Sequence, residues 1–417
     1  MTVPIGHEAI WAIAALATSG VILRPWKVPE AVWAVAGAGA LVVFGLLPVS
    51  DALQAVLKGK DVYLFLLGMM LLAELGRREG LFDFIAAQSV RLAKGSASRL
   101  FLLVFAIGTL VTVVMSNDAT AVVLTPAVYT VAKRAGAKPL PYLFACAMIA
   151  NAASFVLPIS NPANLVVFGS HPPQLLEWLR HFALPSLVSI AATFVVLRFL
   201  YRKPLAAAVD VVGTEAPLSE ASKVTAWGVA GVAAVLVVAS AMDIQLGLPT
   251  LLAASCVAAT VFMKRKQEFR PTLGGISWSV LLLVAGLFVL VAGLERSGIA
   301  VALAGVLRSA TAGSGSAAAM GAGVIVGLVC NLVNNLPAGL LAGSVLVVAQ
   351  ATPLVRSAVM IGVDLGPNLS ATGSLATILW LIAIRREGEN VSAWQFLKVG
   401  AVAMPAALIP ALAVLLL

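Results

Sequence analysis

Apolar segments long enough to cross a bilayer recur from one end of this sequence to the other, and they limit the possible folds more than any other feature. Of the 417 residues, 61% are hydrophobic and 11% are charged, with a mean hydropathy of +1.03. Backbone groups facing lipid must bond within their own segment, so helices are the expected spanning elements. The sequence therefore predicts an all-α polytopic membrane protein with about ten transmembrane helices, since roughly 20 apolar residues span the hydrocarbon core.

One short polar stretch, Ser116-Asn117-Asp118, lies in the middle of an otherwise apolar run at residues 101–131. A carboxylate and an amide at bilayer depth are costly and must face protein or a water-filled cavity. Irregular backbone at that depth is tolerated only in the same places. We predict a re-entrant hairpin whose tip lines a transport site, the alternative being a polar kink in an ordinary membrane helix.

Three further polar interruptions follow the same pattern. Asn334-Asn335-Leu336-Pro337 interrupts the apolar run at 317–348 and predicts a second hairpin. Pro158-Ile159-Ser160-Asn161-Pro162 interrupts the run at 142–169, and the stretch at 364–374 interrupts the run at 354–384. Proline removes a backbone donor and disrupts a helix. Both runs are therefore predicted to be discontinuous helices, which commonly carry the sites of transporters.

The two halves of the chain form an internal repeat. Adding 218 to the numbering of the first half gives these matches without a gap: Gly68 with Gly286, Leu72 with Leu290, Arg78 with Arg296, Gly80 with Gly298, and Asn117 with Asn335. A deletion of nine residues then aligns Pro158 with Pro367. We predict a first helix within 1–30, a first repeat at 31–201, a cytoplasmic connector at 202–223 and a second repeat at 224–417.

The distribution of basic residues predicts that the second repeat is inverted in the membrane. Cytoplasmic segments carry an excess of Lys and Arg. With both termini on the outer side, all but six of the 27 basic residues are cytoplasmic, including the cluster Lys264-Arg265-Lys266; the six are Lys58, Lys60, Arg180, Arg296, Arg308 and Arg356. The hairpins then enter from opposite sides, and their tips and both helix breaks meet near the midplane. The expected location is the bacterial cytoplasmic (inner) membrane.

These interruptions resemble a known family. Ser116-Asn117-Asp118, Asn334-Asn335-Leu336-Pro337, Asp364-Leu365-Gly366-Pro367-Asn368 and Gly373-Ser374-Leu375-Ala376-Thr377 resemble the arsenite/antimonite efflux permeases of the ArsB type, in the ion transporter superfamily. The resemblance implies an elevator-type or related alternating-access antiporter, which confers arsenical resistance by expelling trivalent metalloid in exchange for protons. It also implies that a cytosolic arsenite-stimulated ATPase subunit is a possible partner. The chain has no Walker motif with which to hydrolyse ATP itself.

The polar side chains at the interruptions suit an uncharged hydroxide. Arsenite at neutral pH is mostly the neutral trihydroxide, and amides and hydroxyls both donate and accept hydrogen bonds. A dianion would require a cation or helix N-termini, and no Lys or Arg occurs at the interruptions. Relatives that carry dicarboxylates tend to have Ser-Asn-Thr at both tips, which this chain lacks. The predicted substrate-binding residues are Ser116, Asn117, Ser160, Asn161, Asn334, Asn335, Asn368, Ser370 and Thr372.

Asp118 and Asp364 are the predicted proton-coupling residues. An apolar cavity penalises the charged form of a carboxyl group and thereby favours its protonation near neutral pH. The alternative for either residue is a capping acid at the N-terminus of a half-helix.

Two other carriers on the same fold stay open: a cation–proton antiporter using both carboxyl groups, and an organic-anion symporter. A channel gated by a partner is a third class. A membrane enzyme is not expected, because no nucleophile–base set occurs. No cofactor or metal site is expected either, because the three cysteines are scattered. The net charge of +9 follows from membrane insertion and implies no nucleic-acid partner.

Overall fold

The structure is a computed structural model that describes residues 5–169, 173–210, 218–265 and 270–417. Residues 211–217 of the predicted connector, and Lys266 of the predicted cytoplasmic cluster, lie outside the described residues. The first half contains α1 (Ile5–Leu23), α2 (Glu30–Val43), α3 (Val49–Lys58), α4 (Lys60–Arg78), α5 (Leu81–Ala93), α6 (Ala97–Val114), α7 (Asn117–Ala119), α8 (Thr125–Arg134), α9 (Leu140–Ala152), α10 (Pro162–Phe168) and α11 (Leu175–Leu200).

The second half repeats this order. It contains α12 (Glu220–Ala241), α13 (Gly247–Arg265), α14 (Arg270–Gly275), α15 (Trp278–Arg296), α16 (Ile299–Gly313), α17 (Gly315–Val333), α18 (Asn335–Ala349), α19 (Pro353–Leu365), α20 (Leu375–Arg386) and α21 (Ala393–Leu415). A shift of 218 residues carries α4 onto α15 and brings α5 and α6 onto α16 and α17 with ends within two residues. The repeat is therefore visible in the helices as well as in the sequence, and its predicted boundaries stay predictions.

Eight helices in the described part of the chain are long and apolar enough to cross a membrane: α1, α6, α11, α12, α13, α15, α17 and α21. Two of them, α6 and α17, are the entering arms of the predicted hairpins. The prediction of an all-helical polytopic membrane protein is confirmed, and the count of about ten transmembrane helices stays a prediction.

The halves pack against each other through equivalent helices. α4 packs against α13 and α2 packs against α15, which are the same pairing with the two halves exchanged. α11 packs against α21, its own counterpart. The short helices cross over as well, because α10 packs against α18 and α20 packs against α8. Each broken helix therefore lies against the hairpin of the opposite half, which brings all four polar interruptions together.

Small residues allow the closest of these contacts. Gly323 and Gly327 of α17 face Gly362 and Gly366 at the end of α19, and an added Cβ at either of the last two would collide with the facing carbonyl oxygen. Glycine at such positions lets two helix backbones approach directly. The Gly323/Gly327 pair therefore packs inside the fold.

Candidate functional site

Both hairpin tips contain a non-glycine residue with positive φ. Ser116 lies at the end of the entering arm of the first hairpin and has φ 149°. Asn334 is its equivalent at a shift of 218; it lies at the end of the entering arm of the second hairpin and has φ 72°. Non-glycine residues rarely adopt positive φ, and such strain persists where surrounding structure imposes it, often at functional sites. Helix resumes at once, with Asn117 and Asn335 as the first residues of α7 and α18. Each tip therefore presents an asparagine at a helix N-terminus.

The two broken helices also restart near the tips. α10 begins at Pro162 behind the N-cap Asn161, whose Oδ1 accepts a hydrogen bond from the Ala163 N–H at 3.0 Å. α20 begins behind the N-cap Ser374, which exchanges hydrogen bonds with Thr377 in a capping box. Capping side chains satisfy the free N–H groups that a helix start exposes. These caps let a helix begin inside the protein, away from water.

One small cavity lies where these helix starts converge. Its polar lining consists of Asn117, Asp118, Asn161 and Asn335, and its apolar wall includes Leu66 of α4. The space open to a water-sized molecule is about 10 Å³, which is room for about one water. The cavity is therefore too small for a larger solute unless its walls move apart.

An unpartnered atom faces this region. Asn117 is 2% exposed, and its Oδ1 has no hydrogen-bond partner among the described residues. Leaving a buried polar atom unpaired costs about 1–3 kcal/mol. Asp118, the next residue, is half-buried at the same cavity. The first hairpin tip thus presents an unpaired amide oxygen and a carboxyl group to one small space.

Asp364 lies directly behind the cavity, near the end of α19. It is 0% exposed, and its Oδ1 accepts a hydrogen bond of 2.6 Å from the Asn161 Nδ2. Its other oxygen, Oδ2, has no partner among the described residues. The neighbouring Ser154 hydroxyl donates instead to the Asn151 carbonyl oxygen at 2.7 Å. The two predicted proton-coupling residues are therefore linked through Asn161, which contacts Asp364 and shares the cavity with Asp118.

Five of the predicted substrate-binding residues form internal bonds instead of lining this cavity, and Ser116 is buried at the tip. The Ser160 hydroxyl donates to the Val113 carbonyl oxygen at 3.0 Å, which ties the first break to the first hairpin. Ser370 donates to the Asn331 Oδ1 at 2.7 Å, and Thr372 to the Asn331 carbonyl oxygen at 3.4 Å. Asn334 donates to the Thr372 carbonyl oxygen at 3.2 Å. Each hairpin is thereby bound to the break of its own half.

Asn368 is also away from the cavity lining. It accepts a hydrogen bond from the Asn151 Nδ2 at 3.0 Å and donates to the Met148 carbonyl oxygen at 3.0 Å. Both partners belong to α9 in the other half, so Asn368 joins the two halves. Asn151 and Asn331 are two polar residues of this region that are not among the predicted substrate-binding residues. A signal existed, because each is an amide inside an apolar run shortly before a polar interruption.

The first hairpin differs from the second just beyond Asp118. Residues Thr120–Leu124 form a π-helical turn, whereas α18 runs without one. Thr125 donates to the Thr120 carbonyl oxygen at 2.9 Å, and the Thr120 and Thr112 hydroxyls lie 2.8 Å apart. π-helical turns are rare and frequently occur at functional sites. This turn sets the orientation of Asp118 relative to the arm that follows.

The chain resembles characterised and uncharacterised transporters over most of its length. It is 25% identical over 335 residues to an arsenical pump membrane protein of Escherichia coli, covering 78% of each chain. It is 27% identical over 376 residues to an uncharacterised transporter of Mycobacterium tuberculosis, covering 84% of each. These matches confirm the resemblance to arsenical pump proteins that the motifs predict.

A solved structure supports the fold. The crystal structure of the Alcanivorax borkumensis YdaH transporter matches with a TM-score of 0.59 at 16% identity, covering 87% of this chain and 86% of that one. The family described as CitMHS, citrate transporter, matches residues 13–384. Since that match spans most of the sequence, this multi-pass membrane protein belongs to the CitMHS family of transporters.

Proposed function

We propose that the protein is a secondary active transporter that exports arsenite or antimonite, as the trivalent metalloid hydroxide, in exchange for protons. The observation that carries this proposal is the lining of the cavity. Three amides, Asn117, Asn161 and Asn335, and one carboxyl group, Asp118, surround it, and none of its described lining residues is Lys or Arg. A neutral polyhydroxide needs groups that both donate and accept, which amides do. The similarity to arsenical pump membrane proteins agrees with this choice.

Proton coupling is assigned to Asp118 and Asp364. Asp118 shares the cavity with the substrate, and Asp364 contacts it through Asn161. A proton bound at Asp118 replaces a negative charge by a neutral donor, so protonation changes what the cavity binds. The small size of the cavity suits alternating access, in which the site widens toward one side or the other to admit or release a solute.

An organic-anion symporter is the second candidate, and one feature of the site favours it. Helices α18 and α20 both begin at the cavity, at Asn335 and Leu375. Helix N-termini carry partial positive charge and favour anions without any Lys or Arg. The description of the family as citrate transporters points the same way. Asp118 argues against this candidate, because its carboxylate repels an anion until the carboxylate is protonated.

The cellular setting follows the same proposal. We place the protein in the bacterial cytoplasmic membrane with both termini on the outer side, on the distribution of basic residues. The Lys133 and Arg134 cluster that ends α8 then lies on the cytoplasmic side. A cytosolic ATPase subunit is a proposed partner for that side, taken from the family resemblance.

Uptake by everted vesicles tests the function. Everted vesicles energised by respiration are given arsenite, and right-side-out vesicles are given citrate, because a symporter moves citrate in the same direction as the proton. The proteins compared are the parent, Asp118→Asn, and Asp83→Asn as a control on the exposed side of α5. We expect arsenite accumulation in the parent and the control, and its loss with Asp118→Asn or an uncoupler. Proton-dependent citrate transport without arsenite accumulation would replace the exporter with the second candidate. Arsenite accumulation that an uncoupler leaves intact would remove proton coupling.

A further inference from the structure

The helix bounds relate the two broken helices by a shift of 213, not by the shift of 209 that aligns Pro158 with Pro367 in the sequence. Adding 213 to the bounds of α9, Leu140–Ala152, gives those of α19, Pro353–Leu365. The same shift carries Asn161, the N-cap of α10, onto Ser374, the N-cap of α20. It also carries Asn151 onto Asp364, because each is the last residue but one of its helix. Asn151 is therefore the counterpart of Asp364 in the other half.

The counterparts make equivalent contacts. The Asn161 Nδ2 donates to the Asp364 Oδ1 at 2.6 Å, and the Ser374 Oγ donates to the Asn151 Oδ1 at 3.2 Å. In each case the N-cap of a restarting helix bonds the end of the interrupted helix in the opposite half. We call these two contacts the cross-half bonds. All four side chains are at most 2% exposed.

The two cross-half bonds differ in one chemical respect. Asp and Asn have nearly the same shape, but an amide is neutral at every physiological pH whereas a carboxyl group gains or loses a proton. A bond to an ionised acceptor is shorter and roughly twice as strong as a neutral one. The surroundings differ as well, because the Asn151 Nδ2 donates to Asn368 while the Asp364 Oδ2 has no partner.

Few other titratable groups face Asp364. Cys330 of α17 lies beside it, and the Cys330 Sγ contacts the Val363 carbonyl oxygen at 3.9 Å. Ser154 and Asn161 face it from the first half and carry no charge. Asp118 is reached only through Asn161, at the cavity. Asp364 is thus the carboxyl group through which a proton acts on a cross-half bond.

We propose that Asn151 and Ser374 are positioning residues that form the proton-independent counterpart of the Asp364–Asn161 bond, so that one proton rather than two acts on the cross-half bonds. The inference rests on proton coupling at Asp364 in the proposed function. The two halves are then joined by one bond of fixed strength and one that changes with protonation. In such a carrier the two halves respond differently to protonation, although their backbones are equivalent.

The inference is tested without any substrate, by pH-induced infrared difference spectroscopy of the purified protein. Every variant carries Asp118→Asn, which removes the other carboxyl group of the site, and bands of all remaining carboxyl groups cancel between variants. Adding Asp364→Asn should remove one protonated-carboxyl band. Adding Asn151→Asp to the Asp118→Asn/Asp364→Asn protein should restore one protonated-carboxyl band. Adding Asn151→Asp to the Asp118→Asn protein, which keeps Asp364, should give one band more than that protein has.

Should Asn151→Asp alone prevent folding, it is combined with Ser374→Asn, which recreates the Asn–Asp pair of the other half. Monodisperse protein on size exclusion is required in each case. Failure of the restored variant to gain a band would overturn the inference, because the two positions would then not be equivalent. A band that survives Asp364→Asn would overturn it as well. Neither outcome depends on whether arsenite is the cargo, so the proposed function is tested separately by vesicle uptake.

Discussion

The Asn161 amide nitrogen lies 2.6 Å from the Asp364 Oδ1, across the boundary between the two halves of the chain. Asn161 also caps α10 through its own Oδ1 and lines the cavity. The Asn161 side chain therefore contacts the start of α10 and a buried carboxyl group and also lines the cavity. Any movement of α10 against α19 must break or re-form this bond.

Replacing Asn161 by alanine should destabilise the protein. The hydrogen bond to Asp364 contributes about 0.5–1.5 kcal/mol when the carboxyl group is protonated and about 1.5–3 kcal/mol when it is ionised, and loss of an N-cap costs about a further 1 kcal/mol. Thermal unfolding of the purified protein measures the loss. The control is Ser89→Ala, which removes a single neutral bond to the Ile85 carbonyl oxygen and should cost about 0.5–1.5 kcal/mol. Equal losses in both variants would show that the Asn161–Asp364 bond adds nothing.

Alanine at Asn335 and alanine at Ser370 should affect transport differently, although both residues are predicted substrate ligands. Asn335 lines the cavity, so losing one or two hydrogen bonds should raise the KM for arsenite about tenfold, since about 1.4 kcal/mol is a factor of ten. Ser370 donates to Asn331 and should leave KM within about twofold, because it is not at the cavity. Initial rates of vesicle uptake separate these outcomes. A large change in KM with Ser370→Ala would mean that the site extends beyond the cavity.

Much of the fold was predictable because its strongest signals are local. Polar residues inside apolar runs mark the hairpin tips at Asn117 and Asn335, and the prolines at 158 and 367 mark the breaks. The ungapped shift of 218 then relates the halves, since a repeat preserves helix lengths even where side chains diverge. These features need no knowledge of tertiary contacts.

The direction of each side chain was less predictable, because it depends on contacts that are distant in sequence. Asn368 and Asn161 look alike in the sequence, yet Asn368 bonds Asn151 and Met148 while Asn161 reaches the cavity. Asn151 gave only a weak signal, because the shift of 213 that pairs it with Asp364 appears only once the helix ends are known. The polar residues of the sequence therefore indicate where the candidate site lies, but packing determines which of them face the cavity.

Alanine at Gly362 should destabilise the protein far more than alanine at Gly321. A Cβ at Gly362 would collide with the Gly323 carbonyl oxygen of α17, whereas a Cβ at Gly321 meets open space. Overpacking of this kind costs about 1–3 kcal/mol, while Gly321→Ala should be neutral or slightly stabilising because alanine favours helix. Thermal unfolding of the two variants gives the comparison. Similar unfolding temperatures would contradict the close contact between α17 and α19.

The Asp61 side chain should give the protein a stability that falls as pH rises through the mildly acidic range. Burial raises the pKa of Asp61 above its ordinary value of 3.8, although N–H groups of Gly247 and Leu246 lower it in part. The folded protein therefore holds this proton more tightly than the unfolded chain. The resulting stability is complete below about pH 3.8 and is lost as pH rises through the folded pKa.

The variant Asp61→Asn tests this prediction. In the parent, the Gly247 N–H donates to the Asp61 Oδ1 at 2.7 Å. Asparagine keeps an oxygen for this N–H and removes the titration. The unfolding temperature of this variant, minus that of the parent, should increase with pH across this window. A difference that stays flat or decreases would show that burial does not control this carboxyl group.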